Sequence, residues 1–477
     1  MELLVFSLFA AALLVCVIFH ISLLFALLLG YVIFALYAIR KGFSLPEVLG
    51  MSAQGVRAAK NILTTFVLIG ILTSLWRAGG TIPAIVCYSV RVMEPRLFLV
   101  CSFLLNCLVS FLTGTAFGSA ATMGAVCMTM AAALGADPLM TGGAILSGVY
   151  FGDRCSPVST SALLVADLTG TDLFGNIRQM LRTSLVPFAL AAGLYLLFGL
   201  SSPAAGQAAD IAPLFALEFR LGPLPLIPAA LILVLSALRV RVKAAMLASI
   251  AAAAVLCLAY QGAAPLTLLK DAVLGFSAQS PELATMIDGG GIVSMLQVGA
   301  IVCLSSSYSG IFQRTGLLEP IRRRIEAWGA VLSPYAAVLV TSVLASAIAC
   351  NQTLSIMLTH QLCGGLEKSR EKLAIYLENS AVVVAPLIPW SIAGGVPLAS
   401  AGAPAASLLT AFFLFLLPLW QLVTAGRVEI NHLPAEKPSA PVYEGDVFTV
   451  RGKGRFNLTA LPGKSRKDRS IIEFFQY

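Results

Sequence analysis

The 477-residue sequence predicts an all-α polytopic membrane protein, with about 12–14 transmembrane helices arranged as inverted-topology repeats that contain broken helices. Three observations lead there. Hydrophobic residues make up 58% of the chain and charged residues only 11%, against about 25% in a typical soluble domain. The apolar residues run in blocks near 3–19, 21–38, 62–77, 97–113, 115–134, 142–168, 184–200, 223–238, 244–260, 292–312, 332–349, 352–364, 373–396 and 404–426. Polar knots containing Gly, Pro, Ser and Thr recur inside those blocks, in the same order in two halves. This composition excludes a soluble enzyme, a disordered chain and a secreted disulfide scaffold. The formal net charge of +8 gives no continuous footprint for nucleic acid, because the basic residues fall between apolar runs.

The blocks divide into an N-terminal helical hairpin (1–41), a first transport repeat (62–200), connecting helices (201–291), a second repeat (292–426) and a tail (427–477). The opening MELLVFSLFAA has no basic region, and its apolar character persists to Ile39, which fits two retained helices better than a cleaved signal peptide. Orientation follows from Lys and Arg. Arg40, Lys41, Arg57, Lys60, Arg178, Arg182, Arg239, Arg241, Lys243, Arg322, Arg323, Arg324, Lys368, Arg370 and Lys372 fall on one side, against Arg91, Arg96, Arg220 and Lys270 on the other. The larger set predicts the cytoplasmic face, with the N-terminus and tail on it. A re-entrant 62–90 segment would move Arg91 and Arg96 across. In the tail, VYEGDVFTVRGKGRFNLTAL has the pattern of a small β element.

The internal repeat carries the function. LWRAGGTIPAIV (75–86) has a counterpart in SGIFQRTGLLEPI (309–321). FLTGTAFGSAATMG (111–124) is echoed by IACNQTLSIMLTH (348–360), and VYFGDRCSPVSTSALL (149–164) by YLENSAVVVAPLIPWSIAGG (376–395). Irregular backbone survives in hydrocarbon only where it is buried in protein or lines a cavity. The Pro-containing knots therefore predict broken helices whose freed N–H and C=O groups, together with nearby hydroxyls, bind ions or substrate.

The candidate site residues follow from these knots. Asp153 stands first, because an acid in an apolar span is costly; it can bind Na⁺ or carry a proton, the alternative being a structural ion pair with Arg154. Ser156, Ser159, Thr160 and Ser161 supply oxygens beside it, and Ser380 and Ser391 do so in the second half. Glu378 is the partner of Asp153 by repeat position, with an interfacial placement as the alternative, and Asn379 follows it. Thr113, Thr115, Asn351, Gln352 and Thr353 offer hydroxyl and amide oxygens suited to a hard cation or an organic substrate, or else to interhelical hydrogen bonds. His360 reads as structural rather than as a proton carrier. Arg77 and Arg314 lie near enough to span ends to snorkel, which is favoured over carboxylate binding. TDLFGNIRQMLR (171–182) reads as an interfacial amphipathic helix capped by Thr171 or Asp172.

The ten cysteines show no CxxC spacing and read as small buried side chains. No cofactor is expected beyond Na⁺ as coupling ion. The absence of HExxH, GxSxG and GxGD argues against an enzyme. The expected partners are the lipid bilayer and a small ion or small molecule, with no nucleic acid and a homodimer as an open option.

At LIGILTSLWRAGGTIPAIVCYSV (68–90), TGTAFGSAATMG (113–124), GGAILSGVYFGDRCSPVSTS (142–161), GTDLFGNIRQML (170–181) and SAVVVAPLIPWSIAGG (380–395), the chain resembles the NhaC-type Na⁺/H⁺ antiporter family. The resemblance implies a bacterial inner-membrane protein with inverted repeats that exchanges Na⁺ for H⁺, and some members couple ion gradients to organic acids or amino acids. This chain departs from the family pattern in its carboxylates. Thr160 and Leu163 stand where relatives carry an acid and an amide, and Asn351 and Asn379 stand where acids are common. Asp153 remains. The loss weakens simple cation exchange and keeps an organic acid or amino acid as the alternative substrate.

Overall fold

The computed structural model describes residues 23–201, 212–238, 240–315, 333–349 and 351–424, parts of 5–16, and five short strands between 428 and 476. The second part of the 309–321 counterpart, Arg322–Arg324, Cys350 and most of the tail lie outside the described residues. Among the described residues five helices are long and apolar enough to cross a bilayer: Pro95–Thr113, Ala116–Leu134, Leu173–Leu200, Val242–Tyr260 and Ala405–Thr424. Two further pairs act as broken spans or re-entrant loops. Leu63–Ala78 meets Thr81–Val90 at 63°, and Arg370–Leu387 meets Ile392–Ala401 at 58°. Shorter apolar helices, including Leu24–Arg40, Thr160–Thr169 and Pro334–Ala349, account for other apolar blocks. The membrane part is all-α and polytopic.

The breaks follow from the local sequence. Gly79 and Gly80 end the first limb of one bent pair, and Gly80 takes the left-handed conformation (φ 77°) that a side chain resists. Pro386 and the Ser391 cap divide the other pair. Block 142–168 is two helices, Pro138–Cys155 and Thr160–Thr169, because Ser156-Pro157-Val158 cannot continue the ladder and Ser159 starts a new helix by accepting from the Ser161 and Ala162 N–H groups.

One expectation is corrected. Residues 171–182 are not a separate interfacial helix but the start of the continuous helix Leu173–Leu200. Its buried stripe runs unbroken through Asn176, Ile177, Met180, Ser184, Pro187, Ala191 and Tyr195, so the same face packs inward throughout. Asp172 is the cap, accepting from the Gly175 N–H at 2.6 Å.

The N-terminal residues pack as a distinct cluster, with Phe9 and Phe34 against Tyr308 and Phe312. The main core surrounds the broken helices and includes Tyr150, Phe103 and Tyr195. In the tail, strands Val447–Val450 and Gly454–Leu458 pair antiparallel within a five-stranded sheet, matching the predicted β element.

Helix Pro138–Cys155 is held against Pro95–Thr113 by glycines. A Cβ on Gly148 would stand 2.5 Å from the Phe103 carbonyl oxygen, and one on Gly152 would stand 2.5 Å from the Cys107 carbonyl oxygen. Such backbone contact is how membrane helices approach closely. Gly152→Ala is therefore expected to cost about 1–3 kcal/mol through overpacking. Gly193→Ala, where nothing stands within 4 Å, is expected to be neutral or slightly stabilising. Thermal unfolding of the two detergent-solubilised variants checks the contrast.

Candidate functional site

A cavity of about 780 Å³ lies where the broken helices meet. Its lining combines Thr113, Thr115, Asp153 and Thr160 from the first half with Asn351, Gln352 and Thr353 from the second. The two polar knots have the same construction. Thr115 (φ −151°, ψ 125°) and Asn351 (φ −147°, ψ 153°) are both extended, and each caps the helix that follows it. Asn351 Oδ1 accepts from the Leu354 N–H at 2.8 Å, and Thr115 Oγ1 accepts from the Gly118 N–H at 3.5 Å. After Thr115 the helix carries a π-turn over Ala120–Gly124, a feature common at functional sites.

Asp153 is 5% exposed and sits one turn before the break at Ser156-Pro157-Val158. The Ser159 hydroxyl lies 3.0 Å from Oδ1 and the Ser161 hydroxyl 3.2 Å from Oδ2, while the two hydroxyls are 2.8 Å apart. Carboxylate and hydroxyl oxygens gathered in this way can take a hard cation, and the carboxylate can alternatively take a proton. An ion pair between Asp153 and Arg154 is not what forms.

Arg154 is fully buried and has other partners. Its Nε donates to the Glu378 carbonyl at 3.1 Å, Nη1 donates to the Ser184 hydroxyl at 2.5 Å, and Nη2 donates to Asn379 Oδ1. The Glu378 carboxylate lies 4.0 Å from Arg154 Nε, and among the described residues neither of its oxygens accepts a hydrogen bond. Glu378 is buried within the protein.

Other candidates stand apart from the cavity. Asn379 is held by Arg154 and by Gln421, to whose Oε1 its amide donates at 2.9 Å. Ser380 donates to the Tyr376 carbonyl at 2.6 Å. Ser391 caps Ile392–Ala401, and Ser156 accepts from the Val158 N–H at 3.3 Å. These four satisfy backbone or neighbouring groups, which is the reason polar residues were needed there. Gln352 lines the cavity and also donates to the Val382 carbonyl at 3.0 Å. His360 is half-buried on helix Gln352–Cys363, outside the cavity lining.

Arg77 is buried at the 63° bend, where its Nη1 donates to the Thr73 carbonyl at 2.9 Å. Arg314 is exposed.

Two cavity features were not singled out from the sequence. Arg241 and Lys243 line the cavity, and Lys243 Nζ donates to Thr64 Oγ1 at 2.6 Å. Tyr150 also lines it, three residues before Asp153. The spacing of Tyr150 and Asp153 (i, i+3) puts both on one face of the helix, a signal that could have found Tyr150.

Removing one partner of a buried charge pair leaves the other uncompensated. Arg154→Met is expected to destabilise by about 3–5 kcal/mol, and Arg154→Met with Glu378→Gln is expected to recover a large part of that loss. Thermal unfolding of the single and double variants measures the coupling.

Comparison with known proteins adds four findings. A family model described as the Na⁺/H⁺ antiporter family matches residues 1–166 and 148–424. The chain is 29% identical over 424 residues to the Na(+)/H(+) antiporter NhaC of Alkalihalophilus pseudofirmus, covering 85% of this chain and 89% of that protein. It is 26% identical over 383 residues to the Malate-2H(+)/Na(+)-lactate antiporter of Bacillus subtilis, covering 77% and 81%. It is 27% identical over 387 residues to the Arginine/ornithine antiporter ArcD of Halobacterium salinarum, covering 77% and 78%.

Proposed function

Because the chain belongs to the Na⁺/H⁺ antiporter family, we propose that it exchanges Na⁺ for H⁺ by alternating access, with Asp153 as the group at which the two cations compete. One observation carries the site: Asp153 is a buried carboxylate that lines the cavity, bonded to two hydroxyls and not neutralised by Arg154. When Na⁺ occupies the site, the carboxylate and the Ser159 and Ser161 oxygens face the ion. When a proton replaces it, the carboxylate is neutral and the hydroxyls rotate to close on it. Either occupant removes a net charge from a place where hydrocarbon makes charge expensive, so the loaded site can cross and the empty one resists crossing. That asymmetry obliges exchange rather than leak.

The matching construction at Thr115 and Asn351 supports reading 62–200 and 292–426 as inverted repeats, whose relative motion opens the cavity to one side and then the other. Exposed Arg241 belongs to the basic set predicted to be cytoplasmic, so the cavity in this conformation opens inward. The protein sits in the inner membrane with its N-terminus and tail in the cytoplasm.

A second reading has its own support. Arg241 and Lys243 in the lining repel a bare cation and suit a carboxylate. A volume of about 780 Å³ far exceeds what one Na⁺ needs, a bulk water claiming only about 30 Å³. In this reading Na⁺ or H⁺ at Asp153 drives a small organic acid or amino acid held between the amides and the basic residues. The names of the lactate and arginine/ornithine relatives agree with it.

Sealed proteoliposomes separate the two. With no organic solute present, an imposed Na⁺ gradient is expected to move protons in wild-type protein, and Asp153→Asn is expected to reduce that movement to the level of protein-free vesicles while leaving insertion intact. Proton movement that appears only on adding a small carboxylate or amino acid would favour the second reading. Wild-type exchange in the Asp153→Asn protein would make Asp153 structural.

A further inference from the structure

One turn of helix Pro138–Cys155 touches both limbs of the second-half broken helix. Arg154 donates to the Glu378 carbonyl and the Asn379 side chain on the limb Arg370–Leu387. Tyr150 is fully buried, and its hydroxyl donates to the Ala393 carbonyl at 2.6 Å on the limb Ile392–Ala401. That carbonyl is free for a specific reason. Pro397, four residues further on, lies inside the helix and has no N–H to offer it. Between Tyr150 and Arg154 stands Asp153, and Tyr150 and Asp153 line the same cavity.

We propose that Tyr150 is a positioning residue, which transmits the state of Asp153 to the second-half broken helix through its hydrogen bond to Ala393. The inference rests on the assignment of Asp153 as the exchange site. A change of occupant at Asp153 reorganises the last turn of its helix and the Ser156-Pro157-Val158 break beside it. Tyr150, one turn away on the same helix, carries that shift to Ile392–Ala401, while Arg154 holds the other limb. The side chain thus does more than satisfy an orphaned carbonyl: it makes the two halves respond together.

Pro397→Ala separates these roles, because the alanine N–H can pair with the Ala393 carbonyl and make the tyrosine hydroxyl redundant for backbone satisfaction. The full-length Tyr150→Phe, Pro397→Ala double variant therefore keeps its backbone paired. Three quantities are read in it, in Tyr150→Phe and in wild type: stabilisation by NaCl over choline chloride, Na⁺-driven proton exchange against Na⁺ concentration, and Na⁺-dependent hydrogen exchange of amides 392–401. The expected result is that half-saturation by Na⁺ stays within about twofold while the maximal rate falls by about tenfold or more in both variants. Amides 392–401 are expected to respond to Na⁺ in wild type and not in either variant. Restoration of the wild-type maximal rate by Pro397→Ala, or its persistence in Tyr150→Phe, would reduce Tyr150 to a backbone cap and overturn the inference, as would loss of Na⁺ stabilisation in the variants. Failure of Na⁺ to stabilise wild-type protein would instead refute the Asp153 assignment, and the inference with it.

Discussion

An amide or carbonyl left unpaired in hydrocarbon costs several kcal/mol, and every break in a membrane helix creates such groups. The broken helices here are supported by side chains that pair with backbone carbonyls near the breaks, once from the other half of the chain and three times from within the second. Tyr150 reaches Ala393, Tyr335 donates to the Asn379 carbonyl at 2.9 Å, Trp390 donates to the Ala347 carbonyl at 2.7 Å, and Gln352 reaches Val382. The bonds from Tyr150 and Arg154 bind the halves together. It also places irregular backbone around a cavity, where N–H and C=O groups can meet an ion.

Charge is distributed by the same economy. Arg154 and Glu378 are both fully buried, and they neutralise one another while three guanidinium nitrogens reach protein oxygens. A buried pair of this kind contributes little net stability over apolar residues of the same shape, but it is severe to disrupt. Its presence beside Asp153 has a functional consequence. With Arg154 committed to Glu378, Asp153 forms no ion pair among the described residues, and in the proposed exchange a mobile cation takes that place.

Much of this was legible in the sequence. Polar residues inside apolar blocks marked Thr113, Thr115, Asp153, Thr160 and Asn351–Thr353, and all of them line the cavity. The helix breaks were legible because Gly and Pro act locally. What the sequence could not show were environments that depend on distant partners. Glu378 is near a charged loop in sequence, yet it is buried because Arg154 arrives from 224 residues away. Ser391 and Asn379 carry the same residue chemistry as ligands, but their oxygens are spent on a helix cap and on Arg154. The 171–182 segment looked interfacial because its apolar residues share one helix face with Arg178 and Arg182 off it, and only packing shows that its buried stripe continues to Tyr195.

The central claim is that Na⁺ and H⁺ compete for one carboxylate, and proton release on Na⁺ binding tests it most directly. In weakly buffered detergent solution, NaCl added to purified wild-type protein is expected to release protons in proportion to bound Na⁺, with none released by choline chloride. Asp153→Asn is expected to release none with either salt. Equal proton release from wild-type and Asp153→Asn protein would contradict the account.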